Sequence, residues 1–318
     1  MAHNNRKQNM KPYTLKDFQK QFPDDATCLD WLFRRFNPDG MPYCHKCEKK
    51  TKHHRVISRP SYSCDSCGNH YHPTADTIFH KSPTPLTIWF YAVYLMAQTR
   101  CGISAKQIQR ETGVTYKTAW RMFKQIRSML DENESGKKLG GKRGPGVEMD
   151  ETYMGGVQKM GAGRKPRNPK TAVFGIAERQ GRVRAFTTEN VQSATLLPII
   201  REHVMPKSTV FTDERNVYDG VGYTTDGYWH RRIQHNEKVY VMGNVHTNTV
   251  EGFWSLVKRG IGGVYHNVGR HYLQTYLNEY SFRYNRRFDT QPMFLSFLKQ
   301  VEKRDAVVRE SVPTPEPF

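Results

Sequence analysis

The sequence predicts a modular α/β protein in which one larger α/β domain follows two small modules. From Val147 onward, patterns typical of strands alternate with helical patterns. Before that point, two CxxC pairs are followed by two helical patterns that are separated by a short break. At 318 residues the chain has room for two or three domains, one of them with a sizeable core.

The chain is strongly basic along its whole length. It contains 49 Lys and Arg against 30 Asp and Glu, which gives a formal net charge of +19 and a sequence pI near 9.7. This excess favours nucleic acid as the partner over a basic tail that touches a membrane. The 17 Tyr, 16 Phe and 5 Trp add surfaces on which bases can stack. A basic protein that is merely soluble is the alternative.

The sequence predicts no export signal and no membrane span. Residues 1–7 are polar and no apolar core follows them. The longest apolar run, Ile88–Ala97, is too short to cross a bilayer. We therefore expect a soluble protein which, in a prokaryote, lies in the cytoplasm with the nucleoid.

Residues 1–40 predict a helical segment, and residues 41–80 predict a zinc ribbon. The ribbon is indicated by two CxxC pairs separated by sixteen residues; its candidate ligands are Cys44, Cys47, Cys64 and Cys67. This spacing is typical of a structural zinc site in which four thiolates form a tetrahedron. Two disulfides or a redox pair are the alternatives. They are disfavoured because nothing indicates export and so small a module needs a metal to stabilise it.

Residues 84–130 predict a helix-turn-helix domain, and the polar, glycine-rich residues 131–146 predict a linker. The second helix of such a domain lies in the major groove of DNA. Its candidate DNA contacts are Thr115, Tyr116, Lys117 and Arg121. An ordinary helical hairpin is the alternative.

Residues 147–302 predict the α/β domain, and residues 303–318 predict a C-terminal tail, of which 311–318, with three prolines, is expected to be disordered. Strand patterns cover 147–153, 171–178, 182–188 and 209–212, and a helical pattern covers 193–203. Asp150 lies on the first of these strands and Asp213 directly follows the fourth. A basic loop, 155–170, offers Lys165 and Arg167 to DNA phosphates.

The helical pattern from His246 to Arg259 supplies a third acid. Glu251 and Lys258 are seven residues apart and therefore project from nearly the same face. A carboxylate followed two turns later by a cation suits a site in which the acid binds a divalent ion and the ammonium binds a DNA phosphate. Such a pair is by itself more often an exposed ion pair. The two upstream acids reverse that preference, because the order β-β-β-α-β-α with acids on the first strand, fourth strand and late helix is the layout of a ribonuclease-H-like domain.

Several motifs together resemble the insertion-sequence transposases with a zinc ribbon and a DDE domain, of the ISXO-two-like branch. The resemblance covers roughly residues 14–300. It is carried by Phe22-Pro23-Asp24-Asp25 with Cys28, the paired CxxC motifs, Met149-Asp150-Glu151-Thr152-Tyr153-Met154-Gly155-Gly156, Thr212-Asp213, His246-Thr247-Asn248-Thr249-Val250-Glu251, Lys258-Arg259-Gly260, Tyr265-His266 and Phe282-Arg283-Tyr284-Asn285. The chain departs from the usual letters at Phe36-Asn37-Pro38 and Ala75-Asp76-Thr77. Neither departure touches the acids.

The resemblance implies that Asp150, Asp213 and Glu251 hold two divalent ions, magnesium or alternatively manganese. Family members differ over whether an Asn or a Glu is the third residue, and Asn248 and Glu251 are both present. We favour Glu251, because an anionic oxygen binds a hard cation better than an amide does. His246 and Asn248 remain accessory candidates.

The expected activity is DNA transposition. The protein would bind the terminal inverted repeats, hydrolyse phosphodiesters at the element ends and join the 3′-hydroxyls to target DNA. Lys258 and Arg259 would contact phosphates, and pairing of two ends predicts a homo-oligomer on double-stranded DNA. A catalytically silent DNA-binding regulator is the main alternative, and another nuclease on the same fold is the second.

Overall fold

The computed structural model describes residues 12–131, 136–142, 144–155, 170–232 and 246–303. The helices are α1 (Leu15–Gln21), α2 (Asp25–Phe36), α3 (Leu86–Gln98), α4 (Ala105–Thr112), α5 (Tyr116–Ser128), α6 (Ser193–His203), α7 (Asn248–Gly260), α8 (Arg270–Asn285) and α9 (Met293–Leu298). The strands are β1 (Tyr43–Cys44), β2 (Lys49–Lys50), β3 (His53–Val56), β4 (Ser61–Cys64), β5 (His70–Tyr71), β6 (Val147–Met154), β7 (Thr171–Glu178), β8 (Val183–Thr188), β9 (Thr209–Thr212) and β10 (Trp229–Arg232). A 3₁₀ segment covers Asn216–Tyr223 and a π-helical segment covers Ile261–Tyr265.

The chain divides into two compact units. Unit 1 comprises Met1–Thr99, Ala105–Met129 and Thr290–Phe318, and unit 2 comprises Arg100–Ser104 and Leu130–Asp289. The last helix was expected in the α/β domain but belongs to unit 1. There α9 packs on α3, and the ring of Phe294 lies 5.5 Å from that of Phe18. Its aromatic side chains fill the core of unit 1, which corrects the expected boundary at residue 302.

Unit 1 combines helices with two small antiparallel sheets. β1 pairs with β2, and β3, β4 and β5 form a three-stranded sheet in chain order. Asp24 caps α2 by accepting a hydrogen bond from the Thr27 N–H at 2.7 Å. A three-residue connection joins α4 to α5, and in it Gly113 has a φ of +73°, a conformation that favours glycine.

Unit 2 contains a five-stranded mixed sheet in the order β10-β9-β6-β7-β8. β7 is antiparallel to β6 and β8, whereas β9 is parallel to β6 and β10. One face packs against α7 and α8, through side chains that include Val173 and Trp254. The other face packs against α6 and the 3₁₀ segment, through side chains that include Met149 and Tyr218. β6 contributes side chains to both faces, because successive side chains of a strand point to opposite sides of the sheet.

Two expectations need correction in unit 2. Residues 137–141 are not a free linker, because Leu139 is buried and forms a parallel bridge with Val204. The Gly140 N–H also donates to Glu178 at 3.0 Å, which fixes this segment against the sheet. The fifth strand of the sheet is Trp229–Arg232, which the sequence pattern did not predict.

Candidate functional site

Asp150 lies on β6, and Asp213 directly follows β9, the neighbouring parallel strand. Val147 pairs with Val210 and Glu148 with Phe211, a constant offset of 210 − 147 = 63 residues. The same offset separates Asp150 from Asp213, since 213 − 150 = 63. Because neighbouring residues in register point to the same face, both carboxyl groups project towards the side covered by α7.

Glu251 reaches the same region from the first turn of α7. The Thr247 hydroxyl donates a hydrogen bond of 2.6 Å to Glu251 Oε1, which restricts the orientation of that carboxylate. The helix is seated on the sheet by its apolar stripe, in which Val250, Phe253 and Val257 are fully buried. Trp254 lies over Gly175, the residue that pairs with Asp150 on β7. Glycine is required there, because an added Cβ would overlap the indole ring.

The electrostatics of Asp150 show that the acids are close together. The pKa of Asp150 is raised to about 7, first by burial and then, in decreasing order, by the negative charges of Glu151, Asp213 and Glu251. These carboxylates therefore repel one another in a partly desolvated site. A bound cation would relieve that repulsion, and their hard oxygen atoms are the ligands that magnesium prefers.

A fully buried acid, Glu148, anchors the start of α7. Its carboxylate accepts hydrogen bonds from the backbone N–H groups of Thr249 at 2.7 Å and Val250 at 3.1 Å. The charge is balanced by Arg179, whose Nε donates at 2.9 Å and whose second amino group donates to the carbonyl of His246 at 2.7 Å. Glu148 thus fixes the first turn of α7, which carries Glu251, to the strand that carries Asp150.

A second buried acid, Glu151, organises the opposite side of Asp150. It accepts hydrogen bonds from the Arg215 guanidinium and the Tyr218 hydroxyl. Arg215 Nε also lies 3.5 Å from Asp213 Oδ2, so one cation links the two acids. The charge of Glu151 raises the pKa of Arg215, with smaller contributions from Asp213 and Tyr153.

Sequence reasoning missed Glu148, Glu151, Arg215 and Tyr218. The sequence did contain a signal for them, because Glu148, Asp150 and Glu151 lie within one short strand. Acids that are buried in a strand require polar or charged partners. Those partners, however, come from positions 31 to 102 residues away along the chain.

The accessory candidates lie around α7. Asn248, Lys258 and Arg259 are exposed. Lys258 also lines a cavity at the end of this helix. His246 Nδ1 lies 3.2 Å from Glu148 Oε1, so this side chain belongs to the anchor of the helix.

In unit 1 the four ribbon cysteines converge. Cys44 Sγ lies 3.6 Å from Cys67 Sγ, and Cys47 Sγ lies 3.9 Å from Cys64 Sγ. A tetrahedral zinc ion with Zn–S bonds of about 2.3 Å requires S···S distances of about 3.8 Å, so the four sulfurs fit zinc. Within the described parts of the chain, this is the one group of three or more ligand side chains whose ligand atoms all lie within 4.8 Å of one another.

The environment of Cys64 also suits metal binding. All six cysteines of the chain are free of disulfides. A hydrogen bond from the Thr51 hydroxyl to Cys64 Sγ, 3.1 Å long, lowers the pKa of that thiol to about 6. The thiolate is the form that binds zinc.

The candidate DNA contacts on α5 share one exposed end of the helix. Thr115 caps it by accepting from the Thr118 N–H at 3.3 Å, and Tyr116, Lys117 and Arg121 are exposed. The Lys106 ammonium lies 4.7 Å from the centre of the Tyr116 ring. Lys165 and Arg167 lie outside the described residues.

Comparison with known proteins gives two kinds of match. The ISXO2-like transposase domain matches residues 138–285, which include all three candidate acids. A protein of the transposable element ISH50 from Halobacterium salinarum, itself uncharacterized, is 26% identical over 261 residues, which cover 76% of this chain and 84% of that protein.

An uncharacterized transposase-like protein from Haemophilus influenzae is 34% identical over 127 residues, which cover 40% of this chain and 98% of that relative. No helix among the described residues is long and apolar enough to cross a membrane. Nearly the whole of the Haemophilus relative is matched, and the ISXO2-like domain contains the acids that the fold brings together; the chain therefore belongs to the insertion-sequence transposases.

Proposed function

We propose that this protein binds the ends of an insertion sequence, hydrolyses a phosphodiester at each end and joins the freed 3′-hydroxyls to target DNA. The observation that carries the proposal is the clustering of Asp150, Asp213 and Glu251 around the first turn of α7. The raised pKa of Asp150 reports their mutual repulsion after burial. An acidic cluster of this kind is the ordinary ligand set of a metal-dependent phosphodiester reaction.

The topology of unit 2 supports a ribonuclease-H-like domain. Numbered from β6, the strand order is 3-2-1-4-5, with the second strand antiparallel and the fourth parallel to the first. Among the described residues, three strands, a helix and two further strands precede the helix that carries Glu251, one strand (β10) more than the sequence pattern predicts. We assign residues 147–285 to this domain, 41–80 to a zinc ribbon and 84–130 to a helix-turn-helix domain.

The proposed metal ligands are Asp150, Asp213 and Glu251 for two magnesium ions, or alternatively manganese ions. When bound, such a pair of ions supplies activation of the attacking oxygen and charge stabilisation of the leaving oxygen. One further ion, zinc, is assigned to the four cysteines.

The chain's own residues prepare the site for both steps. Thr247 orients the Glu251 carboxylate, Arg215 holds Asp213, and Glu148 keeps α7 on the sheet. In the first step a water oxygen forms a bond to phosphorus as the bond to the 3′-oxygen breaks. In the second step the oxygen of that 3′-hydroxyl forms a bond to a phosphorus of the target DNA as the bond from that phosphorus to the target's own 3′-oxygen breaks. The target 3′-oxygen leaves as a hydroxyl, and no covalent protein intermediate is needed. Lys258, exposed two turns after Glu251, is placed to bind a phosphate.

We assign recognition of the element ends to unit 1. Thr115, Tyr116, Lys117 and Arg121 present polar and basic groups at one end of α5. Lys165, Arg167 and Arg259 are assigned to DNA phosphates. The net charge of +19 suits double-stranded DNA. Because two ends must be joined, we assign the active form as a homo-oligomer. In a prokaryote, the place of action is assigned to the cytoplasm with the nucleoid.

The test is cleavage of a labelled duplex that carries one of the inverted repeats flanking the gene. Wild-type protein should cut at the repeat boundary when magnesium is added and not when it is omitted. Omission is preferable to a chelator, since a chelator would also remove zinc. Asp150→Asn should reduce cleavage at least a hundredfold while the protein still binds the duplex.

Glu202→Asn is the matched control, because Glu202 is an exposed acid on α6 whose side chain is 74% accessible. It should cut like wild type. Specific binding without cleavage by wild-type protein under any divalent ion would reject the transposase mechanism and support the DNA-binding regulator.

A further inference from the structure

A cavity of about 270 Å³ lies where β6 and α7 end in unit 2. We call it the Tyr153 pocket. Its lining consists of Tyr153, Met154, Gly155, Lys170, Lys258, Ile261, Gly262, His266 and Asn267. The size admits a single nucleotide and excludes a duplex.

The lining combines an aromatic ring with basic groups. Lys170, Lys258 and His266 are all exposed, and none of the described residues that line the cavity is acidic. Tyr153 is 47% exposed although it belongs to a strand whose other residues are largely buried. Cations beside an accessible ring suit a ligand that has both a phosphate and a flat base.

The backbone around the pocket is irregular. Ile261–Tyr265 is π-helical directly after α7, and such segments are frequently found at functional sites. His266 has a φ of +57° and a ψ of −43°, a conformation that side chains other than glycine rarely adopt. Gly262 faces open space, because a Cβ added there would meet no atom within 4 Å. Part of the wall is thus formed by backbone, which leaves room for a ligand.

The pocket lies close to the candidate acids. Tyr153 follows Asp150 by three residues on β6, a rise of about 10 Å. Lys258 follows Glu251 by seven residues on α7, again a rise of about 10 Å. Duplex DNA rises about 3.4 Å per nucleotide in each strand, so the pocket lies within a few nucleotides of a phosphate held at the acids.

We propose that the Tyr153 pocket binds one unpaired nucleotide of the DNA strand that is cut, with the base stacked on Tyr153 and the phosphate held by Lys170 and Lys258. This inference rests on the proposed function and adds a subsite to it. A free inorganic phosphate would use the cations but not the ring. An unpaired nucleotide uses both, and its capture would hold the strand in register next to the acids.

The test combines removal of a base with removal of the ring. End duplexes carry a single abasic nucleotide, moved one position at a time through the five nucleotides on each side of the cut. Binding is measured by fluorescence anisotropy without added magnesium. At one position, or two adjacent ones, base removal should weaken binding by wild type about tenfold. Tyr153→Ala should weaken binding of the intact duplex about as much and make base removal at that position harmless.

Two variant pairs provide controls. Tyr153→Phe keeps a ring and should behave like wild type, and so should Tyr223→Ala, which removes a tyrosine that is 92% exposed outside the pocket. Gly262→Leu should fill the pocket and reproduce Tyr153→Ala. Gly263→Leu should not, because Gly263 also faces open space but does not line the cavity.

If base removal and Tyr153→Ala weaken binding additively at every position, the pocket assignment is overturned. It is also overturned if Gly262→Leu and Gly263→Leu weaken binding equally. Wild-type protein that binds the ends but does not cut them with magnesium would reject the catalytic proposal, while the binding series still decides the pocket. Wild-type protein that does not distinguish end DNA from random DNA would overturn both.

Discussion

At the scale of single residues, Asp150 is the side chain on which the proposed site most depends. Burial comes first among the causes that raise its pKa from 3.8 to about 7, followed by the charges of its acidic neighbours. Below about pH 4 the carboxyl is protonated in both the folded and the unfolded chain, so it does not affect stability. Between about pH 4 and pH 7 only the unfolded chain loses the proton, and the folded state becomes progressively less stable.

Asp150→Asn should therefore stabilise the protein at pH 8 when no magnesium is present. One pKa unit corresponds to about 1.4 kcal/mol, so the gain in the free energy of unfolding is at most about 4 kcal/mol. Urea denaturation at a series of pH values should show the gain shrinking as the pH falls towards 4. Magnesium should stabilise wild type at pH 8 much more than the variant. A variant that is less stable than wild type at pH 8 without magnesium would contradict this assignment.

The buried acids Glu148 and Glu151 show how neighbouring residues on one strand take different roles. Glu148 faces α7 and caps it, whereas Glu151 faces Tyr218 on the other side of the sheet. Both are paired with arginines, Arg179 and Arg215 respectively. Removing either partner would leave a buried charge uncompensated, which is far more costly than losing an exposed ion pair.

At the scale of elements, the position of Glu251 depends on how closely α7 approaches the sheet. That approach is possible because Gly175 has no side chain beneath the Trp254 ring. The Glu148 carboxylate fixes the amino-terminal end of the helix. The buried apolar stripe holds the rest of the helix against the sheet. The geometry of the proposed metal ligands is thus coupled to the packing of one helix.

Gly175→Ala should displace α7 and lower the free energy of unfolding by about 1–3 kcal/mol, because the added methyl group overlaps Trp254. It should also reduce magnesium-dependent cleavage. Gly252→Ala is the matched control on the same helix, since its Cβ would meet no atom within 4 Å. It should raise the free energy of unfolding by about 0.5–1 kcal/mol, the usual effect of replacing glycine inside a helix. Urea denaturation of the two variants measures both changes, and equal effects would refute the packing argument.

At the scale of the whole molecule, unit 1 contains very small sheets, which we expect the proposed zinc ion to hold together. β1 and β2 have two residues each, and β3 and β4 have four each. Such a module buries too little apolar surface to be stable without a cross-link.

The purified protein should contain one zinc ion per chain, as measured by atomic absorption. Cys64→Ser should lose the zinc and become sensitive to proteolysis within residues 41–80. Cys101→Ser should keep both the zinc and the resistance, because Cys101 lies outside the cluster. Zinc retained in full by Cys64→Ser would argue against the four-cysteine site.

The sequence alone was sufficient for the local features and for the family. Strand β7 and helix α6 were predicted with their observed boundaries, since their patterns are set by side chains a few residues apart. The paired CxxC motifs likewise predicted a cluster that the structure forms, and the motifs around the acids identified the family.

What required tertiary structure depends on contacts between distant parts of the chain. The membership of α9 in unit 1 and the binding of residues 137–141 to the sheet follow from packing that leaves no local pattern. The same is true of strand β10, which is short and mostly exposed. Only the tertiary structure decided the roles of Glu148 and Glu151. An acid in a strand does not by itself reveal which arginine, tyrosine or helix end will compensate for its burial.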